Sequence, residues 1–236
     1  MNLFYQPGVG EGIQYLDAEE SRHCVKVLRM KPGDTIRLTD GRGSLYEAVI
    51  TNALPDRCHF DIRSKTLVPP KKYSIHIGIS PTKNPDRTEW FVEKAVEFGV
   101  DSITFLACKN TERSHLKTER LEKMAISAMK QSLQATLPQL NPLTKVHDVV
   151  KNCLHQGKFI AYVDQSNPIH LKEAATPGQS TLVLIGPEGD FTKEELEAAV
   201  QSGFKKVSLG QNRLRTETAG LAACHILNLV NSNKTT

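Results

Sequence analysis

Long apolar runs are missing from this sequence of 236 residues. The longest ones, such as residues 182–185, are far shorter than the roughly 20 residues that a membrane-spanning helix needs. The amino-terminal residues also lack the basic region and the apolar stretch of a secretory signal. We therefore expect no membrane partner and a cytoplasmic location.

Paired cysteines and metal-ligand spacings are missing too. The five cysteines are scattered and odd in number, and no two of them form a Cys-x-x-Cys motif. The eight histidines show no His-Glu-x-x-His spacing. These absences argue against disulfide bonds and a zinc site, so we predict reduced thiols and no metal.

A strong charge excess is also missing, since the formal net charge is only +4. Residues 1–70 hold nine basic and nine acidic residues, so the whole excess lies in residues 71–236. Such a mild excess permits a polyanionic partner without requiring one. One local cluster stands out, because Arg22, Lys26 and Arg29 recur at helical spacing.

The clearest boundary in the chain is the pair Pro69-Pro70, because proline disfavours helix and interrupts strand pairing. Residues 1–70 are predicted to form a small β-barrel-like domain. A helix is predicted from Asp17, with Glu20 completing a capping box, to about Arg29. Strands are predicted at residues 34–39, 44–51 and 57–64, the first two joined by the turn 40–43.

Residues 71–236 instead alternate strands with helices, which indicates an α/β domain on a mainly parallel sheet. Asp86 and Glu89 are predicted to cap a helix that ends at Gly99. Apolar residues at helical spacing predict a second helix from Thr118. Further strands are predicted at residues 75–79, 102–107, 159–163 and 181–185.

A glycine loop, Gly186-Pro187-Glu188-Gly189, follows the last of these strands and precedes a predicted helix with a Thr192/Glu195 capping box. Two glycines let backbone atoms approach a ligand at the carboxyl edge of a parallel sheet. The spacing matches neither the dinucleotide fingerprint nor the phosphate loop. A tight strand-to-helix turn without any ligand is an equally good interpretation of this loop alone.

A second loop has a similar position in the chain. Residues 207–210 are predicted to form a strand and turn, and Thr216 is predicted to cap a small-residue helix that runs to about Leu229. Arg213 and Arg215 beside a helix start favour an anion, and Glu217 adds a carboxylate there. Taken singly, each of these charges is better explained as a solvated surface residue.

Together the two loops resemble those of the SPOUT class of S-adenosylmethionine-dependent RNA methyltransferases. The resemblance is closest to the RsmE family, which methylates uracil N3 in 16S ribosomal RNA. It rests on Ile185–Gly189 and on Leu209-Gly210 followed by Leu214–Ala219. It extends over nearly the whole chain, through Glu89-Trp90, Lys94-Ala95, Phe98-Gly99-Val100, Glu112-Arg113-Ser114, His23, Val27-Leu28-Arg29 and Gly33-Asp34.

This resemblance implies a fold and a set of partners. The implied fold is a small PUA-like β-barrel domain, residues 1–70, that binds RNA, followed by a SPOUT-type α/β domain, residues 71–236, whose parallel sheet contains a trefoil knot. The implied partners are S-adenosyl-L-methionine as methyl donor, 16S rRNA in the small ribosomal subunit, and a second copy of the chain in a homodimer. The implied donor-binding residues are Leu184, Ile185, Gly186, Glu188, Gly189, Leu209, Gly210, Leu214, Thr218 and Ala219.

The resemblance also indicates where catalysis and RNA binding take place. Arg215 is expected to stabilise the developing uracil anion, and Glu217 to act as orienting group or general base. An alternative is that Glu217 only stabilises the helix start. For RNA binding we expect Arg22, His23, Lys26 and Arg29 to contact phosphates.

The chain departs from the family pattern in one run. Relatives commonly carry Glu-Gln-Ser-x-Arg before a proline, whereas this chain has Lys130-Gln131-Ser132-Leu133-Gln134 before Pro138. The departure keeps three alternatives open: an RNA-binding or ribosome-assembly protein without activity, a methyltransferase for the ribose 2′-hydroxyl, and a nucleotide-binding metabolic enzyme. The missing phosphate-binding motifs argue against the last.

Overall fold

A computed structural model describes residues 2–113, 115–162 and 169–232 of the chain. The chain forms two compact units. The first unit comprises Met1–Pro70 and Ile126–Leu137, and the second comprises Lys71–Ala125 and Pro138–Thr236. The sequence pattern does not indicate that residues 126–137 belong to the first unit.

The first unit contains a four-stranded sheet with the strand order β1-β2-β3-β4. The predicted turn joins β2 to β3, and Gly41 and Gly43 there adopt the left-handed conformation with φ of 72° and 98°. The parallel strand β1 was not predicted, because three residues carry too short a pattern. The strands are β1 (Leu3–Tyr5), β2 (Thr35–Thr39), β3 (Ser44–Asn52) and β4 (His59–Leu67).

The predicted helix of this unit is shorter than expected. Helix α1 spans Ala18–Arg22, and the Asp17 side chain caps it by accepting a hydrogen bond from Glu20 N at 2.8 Å. A π-helical turn, His23–Val27, follows, in which Leu28 N donates to His23 O at 2.9 Å. Arg29 ends the segment with φ of 56°. The prediction of one continuous helix to Arg29 is therefore wrong, because hydrogen bonds five residues apart replace the α-helical ones.

Residues 126–137 contact the turn between β2 and β3. Gly43 N donates to Ala135 O at 2.9 Å, and the Thr39 hydroxyl donates to the same carbonyl at 2.9 Å. Leu137 N donates to Gly41 O at 2.8 Å. These bonds satisfy backbone groups at the end of the hairpin that solvent would otherwise have to satisfy.

The second unit contains a six-stranded sheet with the strand order β10-β8-β9-β5-β6-β7, and every neighbouring pair is parallel. This confirms the predicted α/β fold with a parallel sheet. Strand β7 was not predicted, and Val163, assigned to a strand from the sequence, lies outside the described residues. The strands are β5 (Ser74–Ile79), β6 (Ser102–Ala107), β7 (Gln139–Lys145), β8 (Gly157–Ala161), β9 (Ser180–Ile185) and β10 (Lys205–Val207).

Helices cover this sheet. The N-cap of α2 is Asn84, whose side chain accepts a hydrogen bond from Asp86 N, so the predicted cap at Asp86 is wrong. Pro85 explains the difference, because proline suits the first helical position. The Thr192/Glu195 capping box is present as predicted. The helices are α2 (Pro85–Glu97), α3 (Thr118–Gln131), α4 (Val146–Lys151), α5 (Leu171–Ala174), α6 (Lys193–Gln201) and α7 (Thr216–Ser232).

Each unit has its own buried core. Phe4, Leu38, Ile50 and Phe60 belong to that of the first unit. In the second, the central strands are buried on both faces, as expected for a parallel sheet between helices. Among the described residues, the helices all fall short of the length and apolar character that crossing a membrane requires.

Candidate active site

The two signature loops leave the sheet at the same edge. Strands β5, β6 and β9 are adjacent and parallel, so the segments that follow them start from one side of the sheet. Open α/β sheets bind their ligands at this carboxyl edge. The segments that meet there are residues 80–84, 108–117 and 186–192.

The first signature loop, residues 186–190, packs closely against its surroundings. A Cβ atom on Gly186 would lie 3.1 Å from the ring of Phe191. The Asn110 side-chain amide donates to the carbonyl oxygens of Gly189 and Asp190 at 3.1 and 3.0 Å. Burial raises the pKa of Asp190, while Arg213 acts in the opposite direction. The loop is therefore held by specific contacts rather than only by a turn.

The second signature loop, residues 208–215, is joined to the first. The Thr216 hydroxyl at the start of α7 donates to Gly186 O at 3.2 Å. Gly210 has φ of 138°, and a Cβ atom there would meet no atom within 4 Å. The loop thus leaves open space beside a backbone that only glycine readily adopts. Arg213 and Arg215 are both exposed on it.

The Glu217 side chain lies buried in the first turn of α7. Its Oε1 atom is 3.8 Å from Arg87 Nε, and its Oε2 atom has no hydrogen-bond partner among the described residues. Arg87 Nη1 is also 3.8 Å from Glu188 Oε1 in the first loop. A buried carboxylate oxygen without a partner is costly, which is typical of a site that a ligand completes.

Sequence reasoning missed Arg87. This arginine lies in the first turn of α2 and connects the carboxylates of both signature loops. Nothing in the spacing of residues 84–89 sets it apart from other charged residues on a helix. Only the parallel pairing of β5 with β9 brings α2 to these loops.

The predicted donor-binding residues differ in what they can offer. Leu184 and Ile185 are buried in β9, so only their backbone atoms are available to a ligand. Glu188 and Thr218 are exposed, and Ala219 is half-buried. Gly189, Gly210 and Leu214 lie in the two loops described above. The structure therefore places the predicted set along one sheet edge, with mostly backbone groups facing the open space.

The predicted RNA-binding residues lie in the first unit. Arg22, His23, Lys26 and Arg29 are all exposed on α1 and the π-helical turn that follows it. His23 also makes an edge contact with Phe4, with ring centroids 6.2 Å apart. Among α-helical segments, π-helical turns occur frequently at functional sites.

The run that departs from the family pattern has local partners in the first unit. Lys130 forms an ion pair with the buried Glu20, whose pKa is raised by burial and lowered by Lys130. The Ser132 hydroxyl donates to Ala128 O at 2.7 Å, and Gln134 Nε2 donates to the Ser132 hydroxyl at 2.9 Å. These contacts give the run a structural role. Ser114, quoted from the central family pattern, lies outside the described residues.

Known protein families match both parts of the chain. A family model described as an RNA methyltransferase domain matches residues 69–228, which is more than half of the chain. A model described as an RNA methyltransferase PUA domain matches residues 16–63. The amino-terminal part is thus PUA-like, which confirms that part of the predicted fold.

Individual proteins are similar over nearly the whole chain. A Rickettsia conorii protein named ribosomal RNA small subunit methyltransferase E is 27% identical over 224 residues, which are 92% of this chain and 90% of that protein. The crystal structure of a probable rRNA-methyltransferase from Porphyromonas gingivalis is 42% identical, with a TM-score of 0.93, and the match covers 98% of this chain and 99% of that one. A ribosomal RNA small subunit methyltransferase E from Neisseria gonorrhoeae, solved with bound S-adenosyl methionine, is 28% identical, with a TM-score of 0.87 and 98% of both chains covered. The chain therefore belongs to the RNA methyltransferase family that includes the small-subunit methyltransferase E proteins, as its two signature loops predict.

Proposed function

We propose that this chain transfers a methyl group from S-adenosylmethionine to N3 of a uridine in the 16S rRNA of the small ribosomal subunit. The observation that carries the proposal is the joining of the two signature loops by Thr216 beside the buried Glu217. The names of the full-length relatives support the RNA target. A cytoplasmic location follows from this substrate.

The residues present fit the proposed methyl donor. Glu217 Oε2 is buried without a partner, so a polar or cationic group of a ligand would complete its hydrogen bonding. The loops around Gly186 and Gly210 expose backbone groups that can hold an adenine and a ribose. When bound, S-adenosylmethionine supplies an activated methyl group on a sulfonium. The residues that would hold it are Leu184, Ile185, Gly186, Glu188, Gly189, Leu209, Gly210, Leu214, Thr218 and Ala219.

In this proposal two side chains act on the uracil. The N3 proton must leave before or during methyl transfer, and the Glu217 carboxylate is the group placed to accept it or to orient the ring. The exposed Arg215 stabilises the negative charge that develops on the uracil. Arg87 holds the Glu217 carboxylate through its Oε1 atom, which leaves Oε2 for the substrate.

The direct test uses small ribosomal subunits that lack the modification. The purified chain is incubated with them and labelled S-adenosylmethionine, and the RNA is then digested to nucleosides. We expect labelled N3-methyluridine. Label on a ribose 2′-hydroxyl would instead support the alternative methyltransferase. Donor binding without any label would indicate another RNA, and absence of donor binding would support the protein without activity.

We expect the exposed basic residues of the first unit to bind phosphates of the RNA. Replacing Arg22, Lys26 and Arg29 by glutamine should weaken RNA binding, because each phosphate contact releases counterions. The salt dependence should fall by roughly 0.7 to 0.9 slope units per lost contact. Affinity measured at several salt concentrations checks this, with Lys151→Gln on α4 as the control. An unchanged slope in the triple variant would contradict phosphate binding.

The proposal includes a homodimer formed through α2 and α7. These helices pack together, with the rings of Phe98 and His225 4.9 Å apart, and they leave Trp90 40%, Phe98 38% and Leu229 46% exposed. Such neighbouring apolar side chains favour a protein partner. Sedimentation equilibrium should give the mass of two chains. Trp90→Glu should halve that mass, whereas Leu154→Glu at another exposed site should not.

The proposal also includes the trefoil knot of the SPOUT class. The adjacency of β9 and β8 in the sheet and the bond between Thr216 and Gly186 support it, because they bring both loops to one place. An experimental structure traced through the whole chain tests the threading. A path in which neither loop passes through the other would contradict it.

A further inference from the structure

A cavity of about 110 Å³ lies between the amino-terminal turns of α2 and the segment 113–121 of the second unit. This volume is several times the ~30 Å³ that a water molecule occupies in the liquid. It has an apolar wall and a charged wall. The lining residues are Pro85, Thr88, Glu89, Arg113, Leu116, Lys117, Arg120 and Leu121.

The charged wall contains a buried ion pair. Glu89 is buried, and its Oε2 atom accepts from Arg120 Nη2 at 2.7 Å. Arg113 and Lys117 make no ion pair with the residues that the structure describes. Two positive charges are therefore uncompensated at this cavity, which favours an anionic ligand.

The cavity opens toward a groove that shares Arg113 with it. Lys83, Glu112 and His115 also line this groove, and Lys83 pairs with Glu112 at 3.0 Å. An open groove that leads to a closed cavity, with basic groups on both, suits an extended strand that inserts one of its residues.

Both walls of the cavity are tied to the signature loops. On one side, α2 carries Arg87, which lies 3.8 Å from both Glu188 and Glu217. On the other side, the segment that leads to Arg113 begins with Asn110, whose amide donates to two carbonyls of the first loop. The cavity and the proposed donor site are therefore parts of one sheet edge.

We infer that this cavity takes one nucleotide of the RNA substrate. Its phosphate would face Arg113 and Lys117, and its base would lie against Leu116 and the Glu89–Arg120 pair. The small volume favours a pyrimidine over a purine. Bases of single-stranded RNA bind in this way, with rings packed on side chains and polar edges hydrogen-bonded. The inference rests on the proposed function, because it concerns the RNA at the same edge.

The test measures RNA binding separately from catalysis. The probe is a labelled oligouridylate, with fluorescence anisotropy for affinity and calorimetry for S-adenosylmethionine. Arg113→Gln and Lys117→Gln should each weaken oligouridylate binding roughly tenfold, the effect of losing one charge-assisted hydrogen bond. Each should also lower the salt slope by about 0.7. Both variants should bind S-adenosylmethionine as the unaltered chain does, and so should Lys205→Gln on β10, the matched control.

A further variant tests whether the base enters the cavity. Leu116→Trp would fill the space, so it should weaken oligouridylate binding without changing donor affinity or the melting temperature. The unaltered chain should also prefer oligouridylate to oligoadenylate. Wild-type affinity and salt slope in all three variants would overturn the inference. Failure of the methyl-transfer assay with intact oligouridylate binding would overturn the proposed function alone.

Discussion

Replacing Glu217 by glutamine is expected to slow methyl transfer roughly a hundred- to ten-thousandfold, the range that a general base contributes. The amide keeps the shape of the side chain but cannot accept the N3 proton. The Glu217 carboxylate is buried and only its Oε1 atom has a neighbouring cation, Arg87 at 3.8 Å. Single-turnover rates with labelled S-adenosylmethionine and small ribosomal subunits measure the effect.

The variant must be compared on stability and binding as well as on rate. Its melting temperature should not fall, because removing a buried charge that is only partly paired relieves a desolvation cost. Donor and RNA affinities should stay near those of the unaltered chain. Glu197→Gln, exposed on α6, is the matched control and should keep full turnover. Full turnover in Glu217→Gln would show that the carboxylate only stabilises the start of α7.

Acid is expected to destabilise the second unit through His76. Its Nδ1 atom is 3.3 Å from His155 Nε2, and its Nε2 atom is 2.7 Å from the Thr104 hydroxyl. Asn141 Nδ2 donates to the same hydroxyl at 2.8 Å. Burial, and then the nearby His155, lower the pKa of His76 from 6.5 to about 4. Burial also lowers the pKa of His155, with Lys158 acting in the same direction.

The sign of the effect follows from these pKa values. Below pH 6.5 the unfolded chain binds a proton at this position, whereas the folded chain does not until about pH 4. The stabilisation by neutral His76 is thus complete above pH 6.5 and is lost as the pH falls to 4. The free energy of unfolding should fall by about 1.4 kcal/mol per pH unit in this window, up to ~3 kcal/mol in all.

Urea unfolding at a series of pH values between 7 and 4 measures this loss. His76→Gln keeps a hydrogen-bonding group but does not titrate, so its free energy of unfolding should depend less steeply on pH. His147→Gln, exposed on α4, is the control and should behave like the unaltered chain. The same slope in His76→Gln as in the control would contradict the role of His76.

Features fixed by neighbours in the chain could be predicted from the sequence. Thr192 and Glu195 are three residues apart, so their capping box depends on one helical turn. The hairpin at Gly41 and Gly43 likewise needs only a tight turn. The two signature loops were predicted to form one site because parallel strands bring their carboxyl ends together.

Features that depend on distant residues could not be predicted. Arg87 is part of the candidate site only because β5 and β9 are neighbours, and no local pattern indicates this pairing. The π-helical turn after Arg22 competes closely with an α-helix in free energy, so residue preferences do not distinguish them. The cap at Asn84 was missed because Asp86 and Glu89 have the better-known spacing.

The run that departs from the family pattern shows the same limit. From the sequence, Lys130 in place of an acidic residue raised the alternative of a protein without activity. In the structure Lys130 pairs with Glu20, which precedes it by more than a hundred residues. The departure is thus compatible with an active enzyme, because its partner is in the first unit and not in the signature loops.

The hydrogen bonds from residues 135–137 to the β2–β3 hairpin affect how the protein is made. A chain leaves the ribosome from its amino terminus, and domains commonly fold in that order during synthesis. Here the RNA-binding module cannot close when residue 70 has emerged, because Ala135 and Leu137 are still untranslated or inside the exit tunnel. The nascent chain must therefore wait until more than half of it has been synthesised before its first module is complete.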